Sequence, residues 1–205
     1  MHRNALGERW HFLRSYFSSG PSYLILFATA RCNARCRHCF YWQEVADADV
    51  SKELTLSDLE KVADSVSLIY LSIGGGEPFL RKDLAAVVEA FHRRSGILYR
   101  NIVTNGFYTE RIVETVREVR RRCPRLRLKI QISLDDFAEA HDAYRKVPGI
   151  YEKAVQTLKR LSREARETVD WIRRTHCSCS FECGANCNVV FSPRQAARAL
   201  ITRAR

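Results

Sequence analysis

Cys32, Cys36 and Cys39 stand at a C-x3-C-x2-C spacing, directly after an apolar run from Tyr23 to Ala28. Thiolates are soft ligands and select zinc or iron–sulfur clusters. A closed structural zinc site wants four protein ligands. The local fourth candidate is His38, which lies between two of the cysteines and would have to fold back. Three thiolates around one face of a cubane, with the fourth iron left open, suit a 4Fe-4S cluster. On spacing alone a reduced cysteine cluster or half a zinc site stays open beside it. A second group, Cys177, Cys179, Cys183 and Cys187, follows a C-x-C-x3-C-x3-C pattern. Four thiols in eleven residues are too dense for an ordinary core. Cys123 stands alone before Pro124 and reads as a buried thiol.

The elements that must position these groups follow from periodicity. The chain has 205 residues, 46% hydrophobic, and a formal net charge of +11. That length predicts one domain with at most a small appendage. The charges are interspersed, as in Arg160, Arg163, Glu164, Arg166 and Glu167, which reads as solvated helix faces rather than a nucleic-acid surface. Clustered cysteines in a chain this long favour metal over a disulfide framework. The Tyr23 to Ala28 run is too short to span a membrane, so a soluble, cytoplasmic protein is expected.

Leu6, Trp10, Leu13 and Phe17 recur at helical spacing and predict an N-terminal helix packed on the body. Strands are expected at 23–28, 68–73, 97–103 and 126–134. Helices are expected at 55–67, 82–94, 109–122 and 151–166, with the stretch through Pro148-Gly149 as a loop. Four alternations of strand and helix predict a parallel sheet with right-handed crossovers. Ligands gather at the carboxyl ends of such strands. Every motif singled out falls there. Gly74, Gly75 and Gly76 permit close backbone approach before Glu77-Pro78. Asn105 lies in a Thr-Asn-Gly turn, and Ser133 and Asp135 share a face at the last strand end.

The cysteine spacing, with His38 before the third cysteine and Phe40, Tyr41 and Trp42 after it, resembles the radical S-adenosylmethionine (SAM) enzymes. The resemblance spans roughly residues 22–160. It implies a 4Fe-4S cluster on Cys32, Cys36 and Cys39, with SAM cleaved reductively to a 5′-deoxyadenosyl radical that abstracts hydrogen. Residues 74–78 resemble the family's Gly-Gly-Glu-Pro motif, whose backbone contacts the SAM amino group. By the same resemblance His38 offers a flat ring near the adenine, and Asn105 lies near the methionine moiety or the substrate. Ser133 and Asp135 offer polar contacts, and Arg145 pairs with the SAM carboxylate or forms a surface salt bridge. Asp136 stands where the family usually has Gly.

The implied fold is α/β: a partial (β/α) barrel of about four βα units at 22–170. It is preceded by a helical segment at 1–21 and followed by a cysteine-rich extension at 171–205. The family usually builds six units, so the chain reads as a short open barrel or a shortened relative. The four C-terminal cysteines resemble a SPASM or twitch-like tail with an auxiliary iron–sulfur cluster; a zinc site or free thiols are the alternatives. A flavodoxin- or ferredoxin-type electron donor is implied, and a peptide substrate is the leading expectation. A non-catalytic scaffold and a zinc-binding nucleic-acid module are the competing readings.

Overall fold

A computed structural model describes residues 20–164 together with Trp10, Leu13 and Phe17. The described residues up to Leu161 form one compact unit. Its frame is a parallel sheet of β1 (Tyr23–Thr29), β2 (Tyr70–Gly75), β3 (Tyr99–Thr104) and β4 (Arg127–Ile132), in the order β1-β2-β3-β4. The helices are α1 (Trp42–Ala46), α2 (Leu56–Ser65), α3 (Leu84–Arg94), α4 (Thr109–Arg122), α5 (Ala138–Arg145) and α6 (Ile150–Glu164).

Alternation sets the two faces of the sheet. Leu71, Ile73 and Ile102, with Leu24, Leu26, Leu128 and Ile130, point to one side. There they meet Leu59 and Ala63 of α2, Val87, Val88 and Phe91 of α3, and Ile112, Val116 and Val119 of α4. The opposite side carries rows fixed by the parallel register. Tyr23, Tyr70, Tyr99 and Arg127 form one row, and Ile25, Ser72, Asn101 and Lys129 the next. The Tyr23 and Tyr70 rings stack at 5.0 Å, and the Arg127 guanidinium lies 5.0 Å from the Tyr99 ring centre.

Local signals account for the boundaries. Thr55 and Asp58 form a reciprocal capping box at the start of α2. Gly96 follows α3 at φ +74°, a conformation that suits glycine after a helix end. Strands β2 and β3 begin two residues later than their apolar runs suggest, because Leu68, Ile69 and Ile97 are already buried in the turns that lead in.

One expectation needs correction. Residues 138–145 are a helix, not a loop. The buried face of α5 is His141 and Arg145, an i, i+4 pair of polar residues, so no apolar stripe announces it. Of the N-terminal stripe, Trp10, Leu13 and Phe17 are helical, as its period predicts; Leu6 lies outside the described residues.

Candidate metal centre at the strand ends

The cysteine loop leaves the carboxyl end of β1. Cys32, Cys36 and Cys39 are free thiols, each partly exposed. The Ala34 N–H donates to the Cys32 sulfur at 3.4 Å, and the Cys39 N–H donates to the Cys36 carbonyl at 3.2 Å, closing a turn. Burial pushes the Cys32 and Cys36 thiols upward in pKa, while Arg145 pulls Cys36 the other way. Among the described residues no group of His, Cys, Asp and Glu converges on a single metal ion. A cluster with a separate iron for each thiolate asks for a wider spread than one tetrahedral ion does.

The stem of the loop is fixed by its neighbours. The Arg31 guanidinium bonds Glu53 at 2.9 and 3.1 Å, and Thr29 donates its hydroxyl to the same carboxylate. Beside it runs the exit of β2. The Gly76 N–H donates to the Thr29 carbonyl at 2.8 Å, and the Glu77 N–H to the Arg31 carbonyl at 2.7 Å. A Cβ on Gly76 would lie 2.2 Å from the Arg31 carbonyl oxygen, and one on Gly75 2.5 Å from that of Thr29. These two glycines therefore let two backbones touch. Gly74 differs: a Cβ there meets nothing within 4 Å, so its backbone faces open space.

Glu77 is fully buried. One carboxylate oxygen accepts from the Thr104 hydroxyl at 2.9 Å and the Phe79 N–H at 3.2 Å, the other from the Asn105 N–H at 2.8 Å. Burial raises its pKa to about 7 against the opposing effect of these donors. Its carboxylate thus ties the end of β2 to the end of β3. Asn105 extends the tie to the cysteine loop, its amide donating to the Asn33 side-chain oxygen at 2.8 Å. The Asn33 amide nitrogen is buried and has no partner.

The other wall is α5. The last carbonyls of a helix lack intrahelical partners. Here Tyr144 and Arg145 offer theirs to the Arg37 and Arg35 N–H groups, each at 3.1 Å. His38, exposed, stacks on the Tyr144 ring with centroids 4.9 Å apart. Arg145 is 6% exposed, which corrects the surface-salt-bridge expectation. Its Nε and Nη2 reach Asp135 Oδ2 at 2.8 and 2.7 Å, and its Nη1 lies 3.8 Å from the Cys36 sulfur. The Asp135 N–H donates to His141 Nδ1 at 3.2 Å, and His141 is fully buried, its pKa lowered by that burial. Ser133 pairs its N–H with the Thr104 carbonyl at 2.9 Å, continuing the β3–β4 ladder.

Of the residues singled out in the sequence, the structure gathers Cys32, Cys36, Cys39, His38, Gly74, Gly75, Gly76, Glu77, Asn105, Asp135 and Arg145 around one loop and three strand ends. Cys177, Cys179, Cys183 and Cys187 lie outside the described residues. Sequence reading missed Asn33, Glu53 and Tyr144. Asn33 sits inside the cysteine motif and could have been found there; the others are polar positions with no periodic signal.

The family model of the Radical SAM superfamily matches residues 26–172. The chain is 30% identical over 107 residues to molybdenum cofactor biosynthesis protein 1 of Dictyostelium discoideum, covering 51% of this chain and 17% of that protein. It is 29% identical over 143 residues to pre-heme d1 synthase of Dinoroseobacter shibae, covering 66% and 32%. It is 27% identical over 159 residues to Fe-coproporphyrin III synthase of Methanosarcina barkeri, covering 70% and 37%. The chain thus spans well under half the length of these curated relatives. With the match running from within β1 past the end of α6, and the three-cysteine loop at its head, the chain belongs to the radical SAM superfamily.

Proposed function

We propose that this chain is an enzyme that holds a 4Fe-4S cluster on Cys32, Cys36 and Cys39 and binds SAM across the ends of β2, β3 and β4. The observation that carries the reading is the donor set: three unbridged thiols in one eight-residue loop, held from both sides by α5 and the β2 exit. The orphaned Asn33 amide and the open face at Gly74 support room for a further group beside them. When bound, the cluster supplies an electron that cleaves the SAM sulfonium to methionine and a 5′-deoxyadenosyl radical, which takes a hydrogen atom from the substrate.

The chain's own residues bind and orient. Gly74 leaves backbone uncovered for the SAM amino group, and Ser133 offers a hydroxyl at the β4 end. His38, carried by the Tyr144 stack, is the candidate ring for the adenine. Glu77 holds two strand ends at fixed separation through its three hydrogen bonds. Arg35 and Arg37, exposed in the cysteine loop, give an acidic flavodoxin- or ferredoxin-type donor a cationic approach. Among the described residues no helix is long and apolar enough to cross a membrane, and a cytoplasmic setting fits the oxygen-sensitive centre.

A peptide is the substrate proposed from the cysteine-rich segment at 177–187, whose four thiols would hold an auxiliary cluster. The relatives are named as synthases of pre-heme d1 and of Fe-coproporphyrin III, which favours a second reading in which the substrate is a small molecule. The test is anaerobic iron and sulfide analysis, then dithionite reduction with SAM and assay for 5′-deoxyadenosine. Iron with 5′-deoxyadenosine release is expected, and more than four irons per chain supports the auxiliary cluster. Iron without cleavage supports the scaffold reading. Zinc without iron supports the nucleic-acid module.

A further inference from the structure

We propose that Arg145, held by Asp135, is a positioning residue that sets the reduction potential of the centre through Cys36. The assignment rests on the cluster reading above and adds to it a part that the cysteine motif does not contain. Arg145 is the last residue of α5, 109 positions from Cys36 in sequence. Its guanidinium is divided between two partners. Nε and Nη2 are spent on Asp135 Oδ2 at 2.8 and 2.7 Å, while Nη1 faces the Cys36 sulfur at 3.8 Å. A planar fork can serve a carboxylate on one edge and a thiolate with a remaining N–H; the single ammonium of a lysine cannot copy that division.

The geometry does not depend on one long side chain. The Arg35 and Arg37 N–H groups bond the carbonyls of Arg145 and Tyr144, so backbone fixes the loop to the same turn that carries the guanidinium. The charge is also shielded from water, since Arg145 is 6% exposed, and buried charges are weakly screened by salt. Asp135 is its counter-charge. His141, behind Asp135, accepts the Asp135 N–H on Nδ1 and is driven toward its neutral form by burial, so it adds no second cation.

Reducing a cluster adds one negative charge to it. Hydrogen bonds and positive charge at a ligating sulfur stabilise that added charge and raise the potential. Arg145 thereby makes the centre easier to reduce, and Asp135 holds the effect in check. The two residues must then shift the potential in opposite directions when neutralised.

The full chain is loaded with iron and sulfide anaerobically as wild type, Arg145→Gln, Arg145→Lys and Asp135→Asn. Iron is counted in each, and midpoint potentials are read by redox titration followed by electron paramagnetic resonance. The expected result is a lower potential for R145Q, a higher one for D135N, and a value for R145K closer to wild type than that of R145Q. Equal potentials in the loaded variants, or a shift of R145Q and D135N in the same direction, overturn the assignment, because mere loosening of α5 has no sign. Should R145Q fail to hold iron, D135N decides: an unchanged or lowered potential overturns the assignment. A wild-type chain that takes up no iron overturns the cluster reading itself, and this assignment with it.

Discussion

Glu77 keeps a carboxyl group where water does not reach, and three donors surround it. Its pKa of about 7 in the fold stands above the ordinary 4.5, with burial as the first cause. The sign follows. Below about pH 4.5 both folded and unfolded chains are protonated here. Between 4.5 and 7 the unfolded chain ionises first, so folding stability falls as pH rises through that window. A shift of this size corresponds to about 3 kcal/mol. Urea midpoints of wild type and Glu77→Gln, compared at pH 5 and pH 8 without metal, are expected to show wild type losing stability relative to E77Q toward pH 8. The neighbouring glycines separate packing from binding. Gly76→Ala drives a Cβ to 2.2 Å from the Arg31 carbonyl oxygen and is expected to cost about 1–3 kcal/mol in thermal unfolding. Gly74→Ala meets nothing within 4 Å. It is expected to leave unfolding unchanged while weakening SAM binding, as measured by equilibrium dialysis on the loaded chain.

At the scale of elements, the four strands and the helices α2, α3, α4 and α6 were legible because each buries an apolar face at a regular period. Leu59 and Ala63 in α2, or Ile112, Val116 and Val119 in α4, give such faces away. The Thr55–Asp58 capping box was half legible, Thr55 being a readable cap. Thr55→Ala is expected to cost about 1 kcal/mol of stability, read from the urea midpoint, with iron content unchanged. Helix α5 was not legible, and it is the element that matters most for the site. Its inward residues are charged or polar, and its partner is a loop over a hundred residues earlier. Contacts of that kind, a terminal carbonyl to a loop amide or a guanidinium to a sulfur, leave no trace in local periodicity. The same holds for the Asn33–Asn105 tie across 72 positions. The cysteine loop and the glycine turn were legible because their chemistry is written in consecutive residues.

Among the described residues, a parallel sheet directs all four strands' carboxyl ends to one side, and α2, α3 and α4 cover one face. That arrangement brings the β1 cysteine loop, the β2 glycines, the β3 Asn105 turn and the β4 Ser133–Asp135 end together without any one segment spanning the site. The central claim is that three thiolates hold a cluster whose remaining iron is open to SAM. Electron paramagnetic resonance of the dithionite-reduced, iron-loaded chain, recorded without and then with SAM, tests it most directly. The expected result is a reduced-cluster signal that changes on adding SAM and is lost in Cys36→Ser. A signal indifferent to SAM, or one that survives C36S unaltered, would contradict it.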